Sequence, residues 1–137
     1  MQIVVYGMPG PQGSKRHVGN GVMIESSKKV KPWRQDVKAA AIAARNGSAA
    51  LDGPLVVRMV FTLPKPASAP KRRRTYAMRK PDLSKLARST EDALTDAGLI
   101  ADDARIVEYE RLAKVFPGED EESLEAPGVR ITVRTAA

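Results

Sequence analysis

Residues 79–114, RKPDLSKLARSTEDALTDAGLIADDARIVEYERLAK, decide how the rest of the chain is read. Between Leu83 and Ala97, the residues Leu86, Thr90, Ala93, Leu94 and Ala97 recur at helical spacing, and Gly98 is the kind of residue on which helices end. Asp82 or Ser84 stands where an N-cap is expected. Ser84, Arg88 and Glu91 or Asp92 share a second face, because residues three and four apart are neighbours, and Asp92 is expected to pair with Arg88 there. Asp102 and Asp103 follow the helix. Then comes Arg105 to Phe116, where Ile106, Val107, Tyr109, Leu112 and Val115 interleave with charges as in a half-buried strand.

Upstream, Leu55 to Leu63 (LVVRMVFTL) begins just after the turn Asp52-Gly53-Pro54 and is apolar apart from Arg58. This predicts a central strand covered on both faces. Pro64 to Pro70 is a loop, and Lys71, Arg72, Arg73 and Arg74 follow at once, so 64–80 reads as a basic loop that is mobile until a ligand closes it. Ser26-Ser27 and Pro32 announce an earlier helix. Its face carries Trp33, Val37, Ala40, Ala41 and Ala44, its stop is Asn46-Gly47, and Trp33 is taken as core. Gln2 to Tyr6 and Val22 to Ile24 read as strands of a hairpin-like start, joined by a glycine-rich loop bearing Lys15 and Arg16. Downstream lie an acidic loop, PGEDEESLEAPG, and a last strand, Val129 to Val133. The order gives an α/β or α+β fold, a small mixed sheet with two main helices in a single domain, 1–137.

Composition narrows the chemistry. Aromatic residues make up 4% of the 137, too few for an extended base-stacking platform. There is no cysteine and one histidine, His17, so disulfide frameworks, cysteine-held zinc and multi-histidine centres are excluded. Any metal must be held by oxygen. No stretch is apolar enough to span a membrane and the N-terminus lacks the form of a signal peptide, so a cytoplasmic protein is expected.

Charge is unevenly distributed. Residues 1–90 hold 18 Lys+Arg against 4 Asp+Glu, whereas residues 91–137 hold 5 against 12. A basic excess of this kind points to a polyanion, above all nucleic acid. Carboxylates beside dense lysine and arginine call for something to reconcile them. A hard cation such as Mg²⁺ takes one or two carboxylates together with waters and phosphate, and the basic residues would hold that phosphate. The implied chemistry is that of a metal-dependent nuclease. Spacing alone leaves the site open, because a helix of this length separates Asp82 from Asp103 unless the next turn crosses it or two subunits bring opposite ends together.

The ordered set Lys80-Pro81-Asp82-Leu83, Asp92-Ala93-Leu94, Ala97-Gly98-Leu99-Ile100, Asp102-Asp103-Ala104-Arg105-Ile106-Val107 and Lys114 resembles the RusA family of Holliday junction resolvases. Gly7-Met8-Pro9, Gln12-Gly13-Ser14-Lys15-Arg16 and Pro32-Trp33 extend the resemblance over nearly the whole chain. It implies a small homodimer that cuts four-way DNA junctions by metal-assisted phosphodiester hydrolysis. Asp82, Asp102 and Asp103 would be the catalytic carboxylates and ligands to Mg²⁺, with Mn²⁺ as a substitute, and Arg88 falls where the family places a catalytic lysine. Lys15, Arg16, Lys71, Arg72, Arg73, Arg74, Lys85 and Lys114 would hold the DNA arms. The family pattern PDxDNLxK has a second aspartate where this chain has Ser84, and an asparagine where it has Lys85. That departure raises a second reading, a protein that binds branched DNA with an impaired catalytic site.

Overall fold

The computed structural model describes residues 1–13, 15–17, 23–25 and 28–136. Its main sheet has four strands in the order β1-β6-β4-β5, namely Gln2–Tyr6 (β1), Gly128–Thr135 (β6), Leu55–Thr62 (β4) and Ile106–Val115 (β5). Two helices, Val30–Arg45 (α1) and Leu83–Asp96 (α2), complete an α+β fold in one small domain. Lys15–His17 (β2) and Met23–Glu25 (β3) form a separate antiparallel ribbon. The β4–α2–β5 segment is a crossover between parallel strands, whereas β6 runs antiparallel to both β1 and β4.

β4 is the central strand that its composition predicts, with Arg58 its one residue short of full burial. Leu55, Val57, Met59 and Phe61 join the core with Trp33, Val37 and Ala41 of α1 and Leu86, Ala93 and Leu94 of α2. Burying leucines of this size contributes about 1.5–3 kcal/mol each, so α2 is held by its apolar face rather than by its caps. The opposite face of β4 is covered by the acidic loop, where Leu124 N–H donates to Thr62 Oγ1 at 2.8 Å. Trp33 is fully buried, and its indole N–H donates to Thr90 Oγ1 at 3.1 Å, tying the two helices together. Asn46, at φ 46°, ends α1 as expected.

Three expectations change. β1 pairs with β6, Ile3 opposite Ile131, rather than with the strand at 23–25, because Ile3 and Val5 find apolar cover only in the main sheet. The segment bearing Lys15 and Arg16 is a strand and not a loop, with Lys15 opposite Glu25. Val22, Ser26 and Ser27 lie outside the described residues. Finally, β5 is an edge strand whose register against β4 shifts twice, so that Val107 and Glu110 drop out of the ladder. Each bulge resets the inside–outside alternation. Ile106 and Leu112 are half-buried and Val115 is buried as expected, but Val107 is 62% exposed and Tyr109 41%.

Candidate functional site

Helix α2 runs between the two groups of candidate acids, Asp82 before it and Asp102 and Asp103 after it, and itself carries Ser84, Arg88 and Glu91. At its start Asp82 occupies the N-cap position with extended backbone, and its carbonyl accepts from Lys85 N and Leu86 N at 3.1 Å each. Its carboxylate makes no capping bond. It is exposed and stands 3.8 Å from Lys85 Nζ, a surface pair worth little energetically. Residues 10–12 are fastened to the first turns of α2. Gln12 N–H donates to Lys85 O at 2.9 Å, and Ser89 Oγ donates to Gly10 O at 2.6 Å. A Cβ on Gly10 would lie 2.2 Å from Lys29 O, so only glycine permits that approach. From β5, Lys114 Nζ donates to Arg79 O at 2.7 Å and to Pro81 O at 2.9 Å, across the cis Lys80–Pro81 bond. Lys114 is thus turned toward the backbone that leads into Asp82.

Beyond α2, Gly98 (φ 72°) reverses the chain, and a 3₁₀ turn at Asp103–Arg105 returns alongside the helix. Asp102 caps this turn by accepting Ala104 N–H at 3.1 Å, while Arg105 Nε donates to Asp52 at 2.6 Å and anchors the turn beside the start of β4. The Ala104 N–H and the neighbouring Asp103 carboxyl hold Asp102 below the usual carboxylate range. Asp103 is pushed up by its closeness to Asp102, by desolvation and by the charges of Asp102 and Asp92. Glu91, half-buried on α2, is pushed up by desolvation and by the fields of Asp103 and Asp92, and its carboxylate accepts a hydrogen bond from the Tyr109 hydroxyl. Burial and that contact with Glu91 raise the Tyr109 phenol. Glu91, Asp92, Asp102 and Asp103 therefore share one acidic neighbourhood.

Asp82 is not part of it. Glu91 lies nine positions beyond Asp82 along α2, about 14 Å at the usual helical rise. Among the described residues, no three carboxylates or histidines converge closely enough to hold a metal. Ser84 is exposed on the first turn of α2. Arg88, one turn on, is exposed and has no acidic partner among the described residues, so the Arg88–Asp92 pair expected from spacing does not form. Arginine N-terminal to an acid is the weaker orientation at i,i+4, and at an exposed position little is gained by forming it.

Among the other expected cations, Lys71, Arg72 and Arg73 are exposed and carry no ion pair among the described residues. Arg74 lies 3.5 Å from Asp120 and 5.1 Å over the Tyr76 ring. The acidic loop holds the base of this basic loop, with Glu119 pairing with Lys65 at 2.8 Å and accepting Thr75 N–H at 2.6 Å. Asp120 takes a two-pronged bond from Arg111, at 2.9 and 2.6 Å, and Glu122 bridges Arg111 and Arg58. Arg111 and the Glu122 N–H hold Asp120 well below its ordinary range. The side chains of Lys15 and Arg16 lie outside the described residues.

Sequence spacing missed the closeness of Glu91 to Asp103, which depends on the reversal at Gly98, and the inward role of Lys114, which depends on strand pairing. A family model described as Endodeoxyribonuclease RusA matches residues 7–134 of the chain. No curated protein matches it.

Proposed function

The chain belongs to the RusA family of endodeoxyribonucleases, and on that premise we propose that it resolves four-way DNA junctions as a homodimer that needs a divalent cation. The observation that carries this reading is the arrangement along α2, with Asp82 at one end, Asp102 and Asp103 beside the other, and between them Arg88, without an ion pair among the described residues. The donor set suits a hard cation, since the carboxylates are exposed oxygens and Asp103 is raised by its side-chain hydrogen bond with Asp102, by desolvation and by the like charge of Asp102. One chain nonetheless supplies only part of a site.

A two-fold dimer removes that shortfall. In an isologous interface each copy would present its Asp82 end to the other's Asp102–Asp103 end, producing two equivalent sites at once. The open edge of β5, with Val107 and Tyr109 exposed next to Asp103, supports a second copy seated there. Asp82, Asp102 and Asp103 would then hold Mg²⁺ or Mn²⁺. What such a cation supplies when bound is Lewis-acid activation of a phosphodiester. The remaining tasks fall to the chain. Arg88 neutralises charge developing on the phosphoryl oxygens. Lys71, Arg72, Arg73, Arg74 and Lys85, with Lys15 and Arg16, hold the arms through backbone phosphates, which gives affinity without sequence information.

Ser84 supports the second reading, since a hydroxyl replaces a carboxylate two residues from Asp82. The deciding experiment is cleavage of a labelled mobile four-way junction with Mg²⁺ or Mn²⁺, alongside an EDTA control and the variants Asp103→Asn and Ser84→Asp. Paired symmetric nicks that need both metal and Asp103 are expected. Junction binding without nicks, with cutting gained in Ser84→Asp, would make this a branched-DNA binder with a disabled site. If no variant binds or cuts junctions, the resolvase reading fails.

A further inference from the structure

A cavity of about 740 Å³ opens beside the N-terminal end of α2, between the basic loop and residues 8–13. It lies within the range of true ligand pockets, about 300–1,000 Å³. Its wall is of two kinds. Met8, Tyr76, Met78 and several prolines make an apolar part, whereas Arg79, Lys80 and Lys85 bring positive charge to the side where Asp82 stands. Asp82 is the one acid in that wall among the described residues. Tyr76 is 73% exposed and Met78 89%, so apolar surface is left to solvent at the mouth of a cationic pocket. Arg79 and Lys80 have no ion-pair partner among the described residues.

An apolar peptide would cover the floor but leave these cations unmatched, and a free phosphate would match the cations but leave the floor bare. A nucleotide carries both parts, a flat base and an anionic phosphate. We propose that this cavity receives one unstacked nucleotide of the DNA strand, its base against Tyr76 and Met78 and its phosphate among Arg79, Lys80 and Lys85 near Asp82. The inference rests on the junction-nuclease reading above and adds a base-binding subsite to it. Taking a base out of the stack is least costly where pairing is already broken, which is the situation at a branch point. One aromatic serves one base, in keeping with a chain too poor in aromatics for a longer platform.

The test places 2-aminopurine at successive positions flanking the branch point of a four-way junction and adds the full-length protein at saturating concentration in EDTA. Base fluorescence is expected to rise at one position on binding. The rise should vanish in Tyr76→Ala/Met78→Ala, with junction affinity falling on the order of tenfold, as loss of a stacking partner implies. Both side chains are largely exposed, so the variant is expected to fold, and thermal melting checks this. Selective junction binding with no rise, or with a rise that the variant retains, overturns the subsite and leaves the nuclease reading standing. Failure to prefer the junction over linear duplex overturns both.

Discussion

Replacing Lys114 by methionine separates two roles that the same residue was given by different arguments. Its position in the sequence suggests a DNA contact. In the structure its ammonium donates to Arg79 O at 2.7 Å and to Pro81 O at 2.9 Å, immediately before Asp82. Methionine keeps the length and apolar stem but removes both donors. Net hydrogen bonds from charged groups are worth about 1.5–3 kcal/mol each. The side chain is half-buried and water can reach the freed carbonyls, so the loss is expected to fall below the two-bond sum, at about 1–2 kcal/mol. For a domain of this size that lowers Tm by about 3–8 °C. Junction cleavage should fall more than tenfold because Asp82 is no longer held in place, while junction affinity and its salt dependence stay unchanged. The assays are thermal denaturation, single-turnover cleavage and a binding titration over a range of salt. A phosphate contact would give the opposite pattern, an unchanged Tm with the salt slope reduced by about one. That outcome would refute the positioning role.

Further expectations concern the acidic groups and the core. Asp120 has a folded pKa depressed below its ordinary value, so its bonds to Arg111 stabilise the fold above the unfolded carboxylate pKa and are lost as pH falls through the folded one. Asp120→Asn should therefore cost about 2 kcal/mol at pH 7, and urea titrations should show the gap between wild type and variant closing below about pH 4. Asp103 has the reverse sign. Its raised pKa makes the ionised form unfavourable in the folded state, a penalty present above the folded pKa and absent below the unfolded one. Asp103→Asn should abolish cleavage yet raise Tm slightly at pH 7 and not at pH 3; a variant less stable at pH 7 would contradict the reading that the Asp102 contact and desolvation disfavour the ionised Asp103. Thr90→Val leaves the buried Trp33 N–H without its acceptor and should cost about 1–3 kcal/mol by chemical denaturation, with cleavage per folded molecule unchanged.

The fold was largely legible because its elements are strongly patterned. The apolar run at 55–63 could be little other than a central strand, and Leu86, Thr90, Ala93 and Leu94 mark the buried face of α2 residue by residue. Pairing partners were not legible, since β1 meets β6 across more than a hundred residues and no local signal encodes that. β5 was misread at Val107 and Tyr109 for a different reason, because two bulges break the period of two on which the reading relied. At the site, residue types were readable and their geometry was not. Asp102 and Asp103 stand out in sequence, but that Glu91 lies beside them follows only from the reversal at Gly98.

The split of charge between the two parts of the sequence acquires a physical meaning once partners are assigned. Read along the chain, residues 91–137 look like an acidic region set against a basic one. In space, Glu119, Asp120 and Glu122 are bound to Lys65, Arg74, Arg111 and Arg58, so the acidic loop serves as internal counter-charge behind β4 and at the base of the basic loop. The cations left without ion pairs among the described residues include Lys71, Arg72, Arg73, Arg79, Lys80 and Arg88, all within a short stretch flanking Asp82. The field that an approaching polyanion meets there is more positive than the net charge of +7 suggests, because the acids that lower the total are already engaged elsewhere. The acids left near the helix end, Glu91, Asp92 and Asp103, repel one another instead of pairing with those cations. The rear face is neutralised by arginine–carboxylate pairs, whereas among the described residues Arg88 and the acids Glu91, Asp92 and Asp103 are left without ion pairs, which is the charge pattern that the proposed phosphate and metal partners would require.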